Sequence, residues 1–229
     1  MKLKFLTLLL AATAMTAACD DDDNTGPDGE ARVRVVHASP DAPDVDVLVD
    51  DSPVLTDVPY LATSDDLEVA PGSRNLKVNA AGTAISVIDA DVNLVDGIDY
   101  TVIASGLAAE IEPIVLEDDT SEPAAGLARV RAIHGAASAP AVDIYVTAPD
   151  ADLAAETPAL TNIVLGDVAD YIEAPAGDYQ VRVTTTGTKT VVIDSGTLAL
   201  ESGQVRTAIA VDAPGGGAPF DLLILEDLN

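Results

Sequence analysis

The chain contains two copies of one phrase, and that duplication constrains its fold more than any other feature. Ala31-Arg-Val-Arg-Val-Val-His-Ala-Ser-Pro-Asp-Ala-Pro-Asp-Val-Asp-Val-Leu-Val49 aligns without a gap to Ala128-Arg-Val-Arg-Ala-Ile-His-Gly-Ala-Ala-Ser-Ala-Pro-Ala-Val-Asp-Ile-Tyr-Val146, with ten of nineteen positions identical. The match continues downstream. Leu76-Lys77-Val78 reappears as Val181-Arg182-Val183, Val87-Ile88-Asp89 as Val192-Ile193-Asp194, and Leu116-Glu117-Asp118 as Leu225-Glu226-Asp227. The offset grows from 97 to 109 along the repeat, so the second copy carries extra loop residues, mainly at 147–160 and 214–219. One unit therefore spans 31–120 and the other 127–229, each near the size of a small domain.

Both units are patterned as strands. Val33, Val35 and His37 alternate with Arg32, Arg34 and Val36, and Val45, Val47 and Val49 alternate with Asp46, Leu48 and Asp50; period two is the signature of a half-buried strand. Thr101–Ala104 and Leu222–Leu225 read as strands buried on both sides. Turn signals such as Ala70-Pro71-Gly72 and Asp96-Gly97 recur about every ten residues, as sandwiches require. Pro149 and Pro158 leave room for no more than a short turn in 150–160. The expected fold is all-β: two tandem antiparallel, immunoglobulin-like β-sandwiches in series.

The amino terminus addresses the chain to the cell envelope. Lys2 and Lys4 precede an apolar run from Phe5 to Met15, too short to span a bilayer, so residues 1–18 read as a secretory signal peptide. Thr16-Ala17-Ala18-Cys19 resembles a bacterial lipobox, which implies lipidation of Cys19 and a membrane anchor through that lipid. Residues 19–30, with Asp20 to Asp23, Gly26 and Pro27, read as a disordered acidic tether. Cys19 is the only cysteine, so no disulfide within the chain is possible.

Lys and Arg number 11 against 39 Asp and Glu, a net charge of −28. Such a surface repels phosphate backbones and excludes nucleic acid as a partner. An envelope or extracellular protein is the expected class of partner. The shortage of aromatic residues, with no Trp and two Phe, leaves few platforms for stacking sugars or bases.

The opening phrase of the first unit, followed by Ala70-Pro71-Gly72 and Tyr100-Thr101-Val102, resembles the bacterial envelope family called domain of unknown function 4397. The resemblance implies a secreted or lipidated β-sandwich, in tandem, and brings neither an activity nor catalytic residues.

Candidate chemistry is sparse. Arg34, His37 and Asp46 of the first unit recur as Arg131, His134 and Asp143 of the second. The two histidines share strand parity with inward valines and lack a nucleophile or a second His in sequence, so a hydrogen-bonded structural role is expected. Arg34 and Asp46 are expected to face solvent on neighbouring strands, as a pair stabilising by roughly 0.2–1 kcal/mol. Asp41, Asp44 and Asp46 crowd one Pro-containing loop and form a candidate Ca²⁺ site, although the second unit keeps only Asp143 of the three. Asp89-x-Asp91-x-Asn93 starts like an EF-hand loop but meets Leu94 where Gly is needed, so a β-turn is expected there. Gly215-Gly216-Gly217 lacks the Lys of a phosphate loop and is expected to be a hairpin tip. The reading that follows is a non-enzymatic, envelope-anchored lipoprotein serving as a binding or structural module. The alternative is a calcium-dependent adhesin or carbohydrate-binding module.

Overall fold

The computed structural model describes residues 29–228. The signal segment 1–18, Cys19 and most of the 19–30 tether lie outside the described residues. The first unit contains β1 (Ala31–Ala38), β2 (Val45–Val49), β3 (Ser52–Val58), β4 (Leu67–Val69), β5 (Gly72–Ala80), β6 (Ser86–Leu94), β7 (Asp99–Ser105) and β8 (Glu112–Asp118). The second contains β9 (Leu127–His134), β10 (Val142–Thr147), β11 (Leu160–Ile163), β12 (Ile172–Pro175), β13 (Gly177–Thr185), β14 (Val191–Leu200), β15 (Val205–Val211) and β16 (Asp221–Leu228). Short 3₁₀ turns at Ala108–Glu110 and Leu153–Ala155 are the helical segments described.

Each unit is a pair of four-stranded sheets. The first pairs β4-β1-β7-β8 with β3-β2-β5-β6, and the second pairs β12-β9-β15-β16 with β11-β10-β13-β14. Pairing is antiparallel except at one place per unit: β1 runs parallel to β7, with Val33 opposite Tyr100 and Val35 opposite Val102, and β9 runs parallel to β15. The expected antiparallel sandwiches are present, with this one parallel pair added in each. Parallel neighbours need a long crossover, and the whole second sheet of each sandwich supplies it.

The two units, tandem along the chain, also pack together. The outer faces of β1-β7-β8 and β9-β15-β16 pack on each other. Val36, Ala38 and Ile103 of one unit form a single buried cluster with Ile133, Ile209, Val211 and Leu225 of the other. Burial on both faces explains the unbroken apolar run of β7. In β16 the reading of Leu222–Leu225 as doubly buried fails, because Ile224 is 38% exposed. Asp89, Asp91 and Asn93 also depart from expectation. They lie within strand β6, not in a turn, and Asn75 Nδ2 donates to both carboxylates. The triglycine segment does connect two paired strands, β15 and β16, and Gly215 N–H donates to Pro40 O across the seam.

Candidate functional site

The densest polar constellation among the described residues lies on the seam between the sandwiches and is nearly two-fold symmetric. Arg34 sits opposite Thr101 on the neighbouring strand, and Arg131 sits opposite Thr207. Each guanidinium donates to its own threonine: Arg34 Nη2 to Thr101 Oγ1 at 2.8 Å, Arg131 Nε to Thr207 Oγ1 at 3.1 Å. Each then reaches across to the other unit's last strand. Arg34 Nη2 donates to Asp227 Oδ1 at 2.6 Å, and Arg131 Nη2 donates to Asp118 Oδ1 at 2.5 Å. The Nη1 groups donate to the backbone carbonyls of Glu226 and Glu117, both at 3.2 Å. The free oxygens are taken by Thr101, donating to Asp118 Oδ2, and Thr207, donating to Asp227 Oδ2.

The constellation is nearly dry. The side chains of Arg131 and Asp118 are each 4% exposed and that of Asp227 is fully covered. Burial pushes the Asp118 carboxyl above the ordinary carboxylate value, against the hydrogen bonds from Thr101 and Arg131 that pull it down. One element breaks the symmetry. Tyr171 lies under Arg131, with the guanidinium carbon 4.5 Å from the ring centroid, and its hydroxyl donates to Asp227 Oδ2. Burial, reinforced by the Asp227 charge, raises the Tyr171 hydroxyl to about 12, so it stays a donor.

Arg34 therefore does not pair with Asp46 in solvent, and that expectation is corrected. Its strand face meets a second protein surface instead of water. Asp46 belongs to the opposite sheet, where Oδ1 accepts from Asp57 N and Oδ2 from Gly82 N, both at 2.9 Å. Asp143 repeats this with Asn162 N at 2.9 Å and Gly187 N at 2.8 Å. In each unit one carboxylate ties an edge strand to a turn, at residues with positive φ: Asp57 of β3 and Gly82, Asn162 of β11 and Gly187. These backbone donors hold both carboxyls below the ordinary value.

The histidines are interior. His37 is fully buried, with Nε2 3.1 Å from Pro43 O and Nδ1 accepting from Ser39 N. A carbonyl can only accept, so the proton resides on Nε2. Desolvation lowers the His37 pKa, opposed by the Pro43 hydrogen bond and the Asp44 charge. The Tyr60 ring meets His37 edge-on at 6.0 Å, and the Tyr60 hydroxyl donates across the seam to Asp212 O. His134 is also buried, with Nε2 3.3 Å from Pro140 O, but its Nδ1 has no hydrogen-bond partner among the described residues.

The structure does not gather Asp41, Asp44 and Asp46 into a site. Asp41 accepts from Ala108 N, Asp46 holds β3 to the turn at Gly82, and the Asp44 side chain is exposed. Among the described residues no group of three or more His, Cys, Asp or Glu side chains is placed to hold a metal ion. Asp118, Asp227, Thr101, Thr207 and Tyr171 escaped the sequence reading. The available signal was Leu-Glu-Asp closing both units at 116–118 and 225–227.

Comparison with known proteins gives a family and little else. A family profile described as "Domain of unknown function (DUF4397)" matches residues 7–145 and 146–229. No curated protein matches the sequence. Among solved structures, a leucine-rich repeat protein from Bacteroides thetaiotaomicron is similar at 11% identity and a TM-score of 0.24. That alignment covers 83% of this chain, which spans only 27% of the other. A streptococcal virulence factor described by its alpha-glucan binding is similar at 12% identity and a TM-score of 0.26, covering 78% of this chain and 91% of the other. Neither likeness is close enough to carry a fold or a ligand across.

Proposed function

Because the chain belongs to the DUF4397 family, in two tandem copies, we propose that it is a non-enzymatic lipoprotein, anchored in the bacterial cell envelope through Cys19 and acting there as a binding or structural module. The observation that carries this reading is the seam. The polar groups repeated in both units, which would have to perform any duplicated chemistry, are committed to holding the two sandwiches together or to backbone groups of their own unit. His37 and His134 each face a backbone carbonyl, and Arg34 and Arg131 each face a carboxylate of the other unit. Two sandwiches joined this way form a stiff block at the end of an acidic leader, a shape suited to presenting surfaces at a distance from a membrane. No helix among the described residues is long and apolar enough to cross a bilayer.

The calcium-dependent adhesin reading loses its ligand set, since two of the three loop carboxylates accept backbone N–H groups in separate places. Expression in a bacterial host with radiolabelled palmitate tests the anchor. Label should enter the wild-type chain and recover with the membrane fraction, and Cys19→Ala should abolish both. An unlabelled wild-type chain in the soluble fraction would refute the lipoprotein reading.

A further inference from the structure

The two sandwiches share a plan but not a core. In the first, the end of the sandwich nearest the start of β1 is filled. Val33, Val35, Val69, Leu76, Tyr100 and Val102 belong to one buried cluster there, and the void left among them is about 20 Å³. Register identifies the counterparts in the second unit. Ala31 pairs with Val69, whereas Ala128 pairs with Ala174. Val33 and Val35 face Tyr100 and Val102, whereas Val130 and Ala132 face Arg206 and Ala208. Three valines have become alanines, and a tyrosine ring that filled the centre has become an arginine. The buried apolar cluster of the second sandwich, around Val142, Ile144, Val183 and Ile193, borders that end, and Ile144 is shared with it. At the shortened end lies a cavity of about 220 Å³ between the sheets.

Apart from Arg206, Asp170 and the ring of Tyr179 the cavity wall is aliphatic, and Arg206 Nη1 lies 2.7 Å from Glu226 Oε1. Three of the large aliphatic wall residues are exposed: Ile172 to 52%, Val146 to 47% and Ile224 to 38%. Apolar cavities are poor hosts for water, and one of about 150 Å³ takes up benzene. The larger void here has room for roughly seven water-sized groups at about 30 Å³ each. Sheets stack about 10 Å apart, so a helix, itself about 10–12 Å across with side chains, cannot enter. The occupant is slender. The carboxylates of Asp170 and Glu226 and the chain's net charge of −28 oppose an anionic head at the mouth.

We propose that the second sandwich binds one alkyl chain of an uncharged amphiphile, its tail between the sheets and its head at the Asp170–Arg206 rim. This deepens the binding-module reading without depending on the anchor. The full-length chain carrying Cys19→Ala dispenses with detergent and is titrated with the uncharged dye N-phenyl-1-naphthylamine, then with 1-octanol. Dye fluorescence should rise and be displaced by octanol. Octanol at a hundredfold excess over its Kd should raise Tm by roughly 5–10 °C, and octanoate should bind more weakly.

Refilling the cavity with the first unit's residues (Ala132→Val, Ala174→Val and Ala208→Val together) should abolish binding and raise the unliganded Tm. Should the triple variant fail to fold, Ala208→Val alone must weaken octanol at least tenfold. Binding unchanged by filling, or no response to octanol in the parent, overturns the proposal, as does tighter binding of octanoate. A lipidated wild-type chain that excludes the dye, beside a Cys19→Ala chain that binds it, assigns the cavity to the protein's own acyl group and also overturns it. Failure of palmitate labelling removes only the lipidated-chain comparison and leaves the dye, octanol and cavity-filling arms intact.

Discussion

Replacing Arg131 by Ala leaves Asp118 buried on the seam with its cross-unit cation gone. The two side chains are each 4% exposed and 2.5 Å apart, which places them with buried pairs, whose disruption costs about 3–5 kcal/mol. An exposed pair would contribute about 0–1 kcal/mol. For a chain of this size each kcal/mol moves Tm by about 2–4 °C, so Arg131→Ala should lower Tm by roughly 6–20 °C. The sign of the pH dependence follows from Asp118. Its carboxyl is raised in the folded state, so folding binds its proton more tightly than the unfolded chain does. Its contribution to stability is greatest below the ordinary carboxylate value and falls as pH rises through the window between that value and the folded one. Loss of the Arg131 cation widens that window upward. The penalty of Arg131→Ala, measured by calorimetry against wild type, should therefore be larger at pH 7 than near pH 4. Asp118→Leu with Arg131→Met, which removes both charges, should lie close to wild type or above it. A single Arg131→Ala variant that loses less than about 1 kcal/mol at pH 7 would refute the buried-seam argument.

Two further predictions concern residues repeated in both units. His37 is buried with its pKa lowered, so the stability it contributes is present above about 6.5 and is lost as pH falls from there through the folded value; His37→Gln should flatten the urea midpoint across that acid range, and an unchanged slope would contradict its neutral, buried state. Asp143→Ala orphans the Asn162 and Gly187 N–H groups and should destabilise by about 1–3 kcal/mol. Millimolar Ca²⁺ against EDTA should leave Tm unchanged in the wild type and in Asp44→Ala, whereas a Ca²⁺-specific rise lost in Asp44→Ala would restore the 41–46 loop as a metal site.

Period-two patterning made the strands legible because it is a local property: Val33 and Val35 had to share a face whatever that face met. The mistake over Arg34 has the same origin. The outer face of β1 carries Arg34, Val36 and Ala38, and alternation alone cannot say whether that face meets water or another sheet. Val36 and Ala38 on that face, with Ile103 on the neighbouring strand, were the available hint of a covered surface. Asp89 and Asp91 were misplaced for a related reason. A run of acidic residues resembles a turn until a neighbouring strand, here β5 with Asn75, supplies partners for it.

The sequence by itself determined two copies of an all-β unit, their near-equal lengths and the residues repeated between them, because strand periodicity and duplication are written along the chain. Tertiary structure alone decided that β1 runs beside β7, that Arg34 and Arg131 exchange carboxylates across a seam, and that one sandwich is filled where the other is hollow. Those features depend on residues dozens of positions or more apart, as Arg34 and Asp227 are. Cavity volume is the sum of many small side-chain differences, which becomes visible only when the strands that carry them face each other.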